Sequence, residues 1–435
     1  MRGLRSFLVL LVVAAALGGY LYYDSKRPAG GDEKKQEKVF PDTQSDKIDR
    51  VSIKSDKGQT TIAAKQGDRW QQTQPDTVPA DEAEISGITS NLASLEVQRV
   101  VDEQPADLKQ FGLNPARIEV SFRQGGKDHT LLLGQKTPTG GDMYALVSDK
   151  PRVFIVASYL DSIFNKSPFD LRDKTILKFD RDKADRLEIE TADRTVKIAK
   201  HGADWRLTAP VDARADFNAI ESLLGRLNST PMKAITSNTP DAKALKEYGL
   251  ETPVVTARVG AGSAQASLAL GKAAADGTVY ARDLSRPMVF TVETALADEL
   301  KKPADDLRIK DLFDARAFNT TRLEIVRGGQ TLTFEKDKDA WKQITPAPKA
   351  ADTAKVEAVL AALTGTRATG FADKPPALDA PELTATLKFD EGKTDKVTFA
   401  RKGTDVFARR QGDASAAKID AAALDVIIKA VDALK

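Results

Sequence analysis

One folding unit is repeated three times in this chain, with a period near 136 residues. The stretches RVSIK, RLEIE and RLEIV begin at Arg50, Arg186 and Arg322, each 136 residues after the one before. Alternating polar and apolar residues in each stretch predict a β-strand. The period is far above the roughly 20–50 residues of solenoid repeats, and each copy is long enough to have its own core. The sequence therefore predicts three tandem domains, at residues 47–174, 175–312 and 313–435.

The three tryptophans of the chain occupy the same place in each copy, in GDRWQQTQP, GADWRLTAP and KDAWKQITP. Trp70, Trp205 and Trp341 are each followed, five residues later, by a proline. Proline has no N–H and interrupts a strand ladder, so the tryptophan strand is predicted to end there, as the third strand of a meander. Two interpretations of the rings stay open. Their equivalent places favour core residues, and the alternative is a platform that stacks on sugars or lipid headgroups.

An amphipathic helix is predicted after each tryptophan strand. Apolar residues recur there at spacings of three and four, which places them on one buried stripe. The stripe consists of Ile85, Ile88, Leu92 and Leu95, then Ile220, Leu223 and Leu227, then Val356, Val359 and Leu363. Asp81 and Asp352 stand near the helix starts, where a carboxylate suits the exposed N–H groups. Each copy is predicted to be an α+β domain, a mostly antiparallel sheet of about six or seven strands with two packed helices.

A turn motif and a strand end recur in the second half of the first two copies. The turn is an aromatic residue followed by glycine and leucine, in QFGLNP and EYGLETP, and the third copy keeps only LDAP. Glycine and proline at these places predict a turn before a strand. Later strands contain MYALV, VYARD and VFARR, which align Tyr144, Tyr280 and Phe407.

The first two copies end on the same five-residue pattern, DLRxK, which the third copy lacks. Its charged residues are Asp170, Arg172 and Lys174 in the first copy, and Asp306, Arg308 and Lys310 in the second. A motif that stands where one copy meets the next predicts a connector, in which Asp and Arg cap a helix end and join the units. The alternative is a docking site for a partner.

The N-terminus predicts a membrane anchor. Residues 6–23 are eighteen uncharged, mostly apolar residues preceded by Arg2 and Arg5. Such a run just spans a hydrocarbon core of about 30 Å. We therefore expect residues 1–23 to be an uncleaved signal anchor in the bacterial inner membrane, with the bulk of the chain periplasmic. A cleaved secretory signal is the alternative. Residues 24–46 are polar and are predicted to form a flexible stalk.

Composition excludes several kinds of chemistry. The chain has no cysteine, which removes disulfides, thiol nucleophiles and cysteine zinc sites, and it has two histidines, His129 and His201. Neither histidine recurs in the other copies. A net charge of +2 argues against a nucleic-acid binder. Neither a phosphate-binding loop nor a G-x-S-x-G elbow is present. We therefore predict no catalytic residue, no metal site and no cofactor.

Taken together, the anchor, the W-x4-P strand, the YGLETP turn, the LGK strand end, the VYAR strand and the DLRxK junction are similar to a known family. The chain resembles the bacterial family of domain of unknown function 4340 across nearly all of residues 47–435. The resemblance implies a transmembrane segment followed by extracytoplasmic α+β units. It also implies an accessory role in the cell envelope, since such proteins associate with auxiliary ABC-transporter components of the gliding-motility type. The family brings no assigned catalytic residues.

These observations lead to one expected function and two alternatives. We expect a non-enzymatic, membrane-anchored binding or scaffold protein that is accessory to an ABC-type transport or envelope-assembly system, with a permease or other envelope protein as partner. One alternative is an envelope hydrolase or transferase that uses carboxylates in one repeat. The other is a passive periplasmic spacer.

Overall fold

The described residues form two compact units, divided between Asp173 and Lys174. A computed structural model describes residues 37–434. The predicted anchor, residues 1–23, and the first part of the predicted stalk lie outside the described residues. Among the helices of residues 37–434, none has the length and apolar character that crossing a membrane requires.

Eleven strands belong to the described part of the first unit. They are β1 (Glu37–Lys38), β2 (Ile48–Lys54), β3 (Thr61–Gln66), β4 (Arg69–Gln74), β5 (Val78–Pro79), β6 (Glu96–Val97), β7 (Arg99–Asp102), β8 (Ile118–Gln124), β9 (Lys127–Lys136), β10 (Asp142–Val147) and β11 (Val153–Ala157).

The second unit contains the strands of the second and third repeats. Those of the second are β12 (Arg186–Thr191), β13 (Thr195–His201), β14 (Asp204–Ala209), β15 (Ala213–Arg214), β16 (Ala234–Ser237), β17 (Val255–Ala261), β18 (Ala264–Ala273), β19 (Val279–Asp283) and β20 (Val289–Val292). Those of the third are β21 (Thr320–Arg327), β22 (Gln330–Asp337), β23 (Ala340–Thr345), β24 (Lys349–Ala350), β25 (Gly370–Ala372), β26 (Leu383–Phe389), β27 (Lys393–Lys402), β28 (Asp405–Arg410) and β29 (Ala416–Ile419).

All three repeats build the same nine-stranded antiparallel sheet. In the first, the order is β5-β4-β3-β2-β8-β9-β10-β11-β7, and the corresponding strands of the other two follow the same order. Two meanders therefore lie side by side, joined where β2 pairs with β8. The expected antiparallel α+β repeat is confirmed, although it has more strands than expected. Two-residue edge strands such as β5 are too short to show the alternation on which a sequence prediction depends.

Seven α-helices lie within residues 37–434. They are α1 (Glu82–Ser94), α2 (Leu160–Phe164), α3 (Phe217–Ser229), α4 (Ala242–Glu247), α5 (Thr294–Leu300), α6 (Thr353–Gly365) and α7 (Ala421–Asp432). The first and third repeats have the expected two helices, whereas the second has three because α4 is added. The predicted apolar stripes of α1, α3 and α6 are buried. Asp81 and Asp352 accept backbone N–H groups at the starts of α1 and α6, as predicted.

The last part of the predicted stalk packs on the first sheet. Strand β1 pairs with β6, and Val39 and Phe40 are buried in the core of the first repeat. The ring of Phe40 meets that of Phe122 edge to face, with centroids 5.0 Å apart. The polar residues around Val39 and Phe40 favour a stalk over residues 24–46, whereas the structure packs these two side chains in the core. The stalk predicted from sequence therefore extends too far at this end.

The aromatic-Gly-Leu turn covers the sheet face opposite the long helix. Tyr248 packs on Tyr280 with ring centroids 4.6 Å apart, and Phe111 on Tyr144 at 5.0 Å. The turn lies so close to the sheet that a methyl group added at Gly271 would stand 2.2 Å from the carbonyl oxygen of Tyr248.

The third repeat, which lacks the aromatic-Gly turn, also lacks the glycine on which that turn packs. The ten-residue strands β9, β18 and β27 carry Gly134, Gly271 and Ala400 at their eighth positions. At Gly134 an added methyl would stand 2.1 Å from the Phe111 carbonyl oxygen. The repeat that lacks the aromatic-Gly turn is also the one in which this glycine is replaced by alanine. The LGK strand end is therefore explained by packing against the turn.

Replacing Gly271 with alanine is expected to lower the free energy of unfolding of the second unit by about 1–3 kcal/mol, because the backbone of the turn must move away. Gly365→Ala is the matched control, since a methyl group there meets no atom within 4 Å. Urea unfolding of the two variants measures the difference. Equal free energies of unfolding for the two variants would show that the turn can move away from the strand without a loss of stability, which would contradict this prediction.

Candidate functional site

The DLRxK motif joins consecutive stretches of chain through its backbone. In the second copy, Arg308 forms a β-bridge with Ala215, and the Leu307 carbonyl accepts the N–H of Asp216 at 2.8 Å. Asp216 is also the residue that caps α3. Two residues further on, the Lys310 carbonyl accepts the N–H of Ala368 in the third repeat at 2.7 Å. The motif thus bonds to the second repeat and then to the third.

The side chain of Arg308 is buried between the second and third repeats. It is 3% exposed, and its Nη1 atom lies 2.9 Å from Asp373 Oδ1 and 3.3 Å from Asp305 Oδ1. Its Nη2 atom donates to the hydroxyl of Ser415. The guanidinium carbon stands 3.6 Å from the ring centroid of Phe371. Because three of these partners belong to the third repeat, Arg308 holds the two repeats together.

A second set of paired charges lies beside Arg308, in which Asp395 is buried, Arg214 and Arg410 are partly buried, and Asp314 is exposed. Asp314 accepts from Arg214 Nη1 and from Arg410 Nη2, each at 2.6 Å. Arg410 also pairs with Asp395, whose side chain is fully buried. Asp395 Oδ2 accepts the N–H groups of Asp314 at 2.6 Å and of Ala315 at 2.9 Å. The carboxylate therefore ties the start of the third repeat to its strand β27.

The electrostatics of this cluster follow from burial and pairing. Burial, and then the nearby charge of Arg410, lower the pKa of Arg214. Burial opposes ionisation of Asp314, but the hydrogen bond from Arg410 and the charges of Arg214 and Arg410 more than offset it and lower the pKa of that carboxyl. The pKa of Arg410 is raised, because its bond to Asp314 and the surrounding carboxylates outweigh its burial. Asp314 and Arg410 are therefore held in their charged forms, whereas burial and the charge of Arg410 disfavour the charged form of Arg214.

The space enclosed by the cluster is small. Its volume is about 30 Å³, and Arg308, Arg410 and Asp413 are among its lining residues. A cavity of this size has room for about one or two water molecules. Two buried atoms at these residues, Arg308 Nε and Arg410 Nη1, have no hydrogen-bond partner within the part of the chain that the structure describes. The dimensions suit a structural joint and exclude a metabolite.

The first DLRxK copy has the same backbone role within its own unit. Arg172 bridges to Ala80, and the N–H of Asp81 donates to the Leu171 carbonyl at 2.8 Å. Asp170 accepts from the N–H and the hydroxyl of Ser167, both at 2.8 Å. Burial alone would raise the pKa of Asp170, but the bonds from Ser167 lower it.

Lys174 and Lys310 are the last residues of the two motif copies. Lys310 Nζ lies 4.0 Å from Asp306 Oδ1 on the surface. The Lys174 carbonyl accepts the N–H of Met232 at 2.8 Å, which repeats the contact that the Lys310 carbonyl makes with Ala368. In both copies the backbone carbonyl of the lysine therefore accepts a hydrogen bond from the following repeat.

The three tryptophan rings lie in the cores of their repeats. Trp70, Trp205 and Trp341 are 7%, 2% and 1% exposed. The indole N–H of Trp205 donates to Glu221 Oε1 at 3.1 Å. The indole nitrogen of Trp341 is buried and has no hydrogen-bond partner among the described residues. In the peptide bonds that precede Pro75, Pro210 and Pro346, the cis form is found at all three equivalent places.

Neither histidine is among the residues that line the cavity at Arg308. His129 stacks on Phe122 with ring centroids 5.0 Å apart, and His201 is the last residue of β13. Within residues 37–434, no group of three or more His, Cys, Asp or Glu side chains is arranged to hold a metal ion.

Sequence reasoning identified Arg308 but missed its partner Ser415 and the neighbouring pair of Asp395 and Arg410. Asp395, Arg410 and Ser415 belong to stretches whose other copies do not carry the same residues, so repetition gave no signal for them. The register between β27 and β28 brings Arg410 opposite Val397, and only the folded third repeat places it next to Asp395. Comparison of the copies therefore identifies the residues of the joint that recur, such as Arg308, and does not identify those that occur in one copy, such as Ser415.

The fold and the junction define a protein of tandem antiparallel α+β repeats, with the second and third joined by ion pairs that include the buried side chain of Arg308. The sequence profile described as domain of unknown function 4340 matches residues 70–204 and 205–385. The chain belongs to that family. Both matches begin at a tryptophan of the repeated strand, so the profile starts within the sheet and not at its first strand.

Comparisons with individual proteins add little. No curated protein matches the chain. A crystal structure of the DNA polymerase sliding clamp from Pseudomonas aeruginosa with ligand is similar at 7% identity, over 88% of this chain and 94% of that one, with a TM-score of 0.15. A similarity of that size carries no argument about fold or function.

Proposed function

We propose that the chain is a non-enzymatic, membrane-anchored scaffold outside the cytoplasm, accessory to an ABC-type transport or envelope-assembly system. The observation that supports this proposal best is the joint at Arg308. The buried guanidinium of Arg308 pairs there with Asp373, and Arg214 pairs with Asp314, so both pairs hold two repeats in one arrangement. A fixed arrangement of repeats is what a scaffold needs. The apolar N-terminal segment and the resemblance to family members found with ABC-transporter components supply the membrane setting.

The partner in this proposal is an integral permease with its ATPase subunit. The test is cross-linking in native membranes of the full-length chain, carrying a photoreactive residue at exposed positions of the third repeat, followed by purification and mass spectrometry. The expected result is recovery of a permease or its ATPase. Recovery of neither, while the chain is present in the membrane at normal amounts, would count against the proposal.

A matched control separates a scaffold from a passive spacer. The control is the same chain with residues 175–312 deleted, which removes the second repeat and its DLRxK motif. A scaffold that presents fixed repeats is expected to lose its cross-links to the permease, because the joint at Arg308 is gone. A passive spacer would keep its cross-links to the permease, and only the distance that the chain spans from the membrane would change.

A further inference from the structure

A polar groove crosses the outer face of the first sheet, on the side opposite α1. Its volume is about 350 Å³, which lies in the range of small-molecule sites. Strands β2, β8 and β9 supply two cross-strand rows of side chains. One row is Arg50, Arg123 and Asp128, and the other is Ser52, Ser121 and Thr130.

The charge in this groove is unevenly paired. Arg123 Nε lies 2.7 Å from Asp49 Oδ1 and is neutralised by it. Arg50 lines the same groove and forms no ion pair within residues 37–434. The hydroxyls of Ser121 and Thr130 stand 2.9 Å apart. An unpaired guanidinium thus stands next to a row of three hydroxyls that carries no charge of its own.

The equivalent row of the second repeat is already neutralised. The strand position of Ser52 is occupied there by Glu188. Glu188 pairs with Arg258 at 3.0 Å and with Lys197 at 3.3 Å. In the second repeat, the carboxylate of Glu188 therefore stands at the strand position where the first repeat has the hydroxyl of Ser52.

The third repeat likewise carries a carboxylate in this row. Glu324 takes the position of Ser52 and lies opposite Thr386, which lies opposite Lys396. Arg322, at the position of Arg50, pairs with Glu335 of the neighbouring strand. The first repeat therefore differs from both others in having no carboxylate in the row of Ser52, while Asp128 lies in the row of Arg50, beside Arg123.

We propose that this groove binds the oxyanion of a small ligand, a carboxylate or a phosphate group, with Arg50 as the principal cation. A guanidinium donates two parallel N–H bonds to such groups, and hydroxyls donate further bonds to their oxygens. In the second and third repeats a glutamate of the protein takes the position that the ligand takes in the first. The groove belongs to the first unit, so its binding does not depend on the membrane partner proposed above.

The test measures protection of Arg50 in the full-length chain against phenylglyoxal, which modifies accessible arginines, by mass spectrometry of the peptides. Inorganic phosphate and succinate are the two probes, and sodium chloride at equal ionic strength is the reference. Saturable slowing of modification at Arg50, with none at Arg322, is expected for at least one probe. Protection by one probe alone tells phosphate from carboxylate. If neither probe protects Arg50 more than sodium chloride does, the proposal is wrong.

A variant that copies the other repeats sharpens the test. Ser52→Glu places in the first repeat the residue found in the second and third, and it should weaken protection by at least about tenfold, which corresponds to 1.4 kcal/mol. Glu324→Ser is the reciprocal control and should leave protection of Arg50 unchanged. Ser52→Ala removes one hydroxyl without adding charge and should weaken protection by several fold, which provides a second reading should Ser52→Glu fail to fold. Unchanged protection in both Ser52 variants would overturn the proposal.

Discussion

Replacement of Asp395 with alanine is expected to lower the free energy of unfolding of the second unit by about 3–5 kcal/mol. The substitution leaves the buried N–H of Ala315 and the part-buried N–H of Asp314 without their acceptor, and a buried group left so costs about 1–3 kcal/mol. It also removes one of the two carboxylates that pair with Arg410. Loss of one member of a buried ion pair is costly because the other charge stays buried.

The measurement is urea unfolding of the full-length chain in a Trp70→Phe background, in which Trp205 and Trp341 report on the second unit. Asp405→Ala is the matched control, since Asp405 is 54% exposed and pairs with Lys418 at 3.4 Å. That surface pair should be worth less than about 1 kcal/mol. Similar losses in the two variants would show that burial adds nothing to the Asp395 contacts.

Replacement of Trp341 with alanine is expected to cost about 3–5 kcal/mol of stability in the second unit. The ring is almost fully buried and belongs to the core cluster that contains Val356 and Val359 of α6. Truncation removes the favourable transfer of the ring from water and leaves a cavity. Far-UV circular dichroism in a urea series provides the measurement. A loss below about 1 kcal/mol would favour the ligand-platform interpretation of the ring.

Phenylalanine variants are the controls for the indole nitrogen. Trp341→Phe keeps most of the ring and removes a buried N–H without a partner in the described residues, so it should cost less than Trp205→Phe. The latter also removes the bond to Glu221, whose loss costs about 0.5–1.5 kcal/mol. The opposite order would contradict the assignment of these two nitrogens.

Much of the repeat could be predicted because it is periodic. The apolar stripe of α1 at Ile85, Ile88 and Leu92 follows from spacing alone, since one helix face must be buried. The short edge strand β5 and the extra helix α4 could not be predicted with the same certainty. Strand β5 has two residues, which is too short to show an alternation of polar and apolar side chains. Helix α4 occurs in a single copy, so comparison between copies gives no support for it.

The candidate sites divide in the same way. Arg308 was visible as part of DLRxK because the motif occurs twice. Its contact with Phe371 depends on how the second and third repeats meet. The row of Ser52, Ser121 and Thr130 carries no motif, and the pairing register of three strands is what brings the hydroxyls together.

By itself the sequence determined the three copies, the alternation of their strands, the helix stripes and the family, because these depend on local periodicity and on residues repeated at fixed offsets. Tertiary structure alone decided which charges are buried and paired. Arg308 and Arg50 are similar side chains in the sequence, but one is held by an aspartate and a serine of the next repeat and the other faces an open groove. That difference arises from contacts between residues far apart in the chain. The free energy of such contacts depends on the folded structure and does not show in the local sequence pattern.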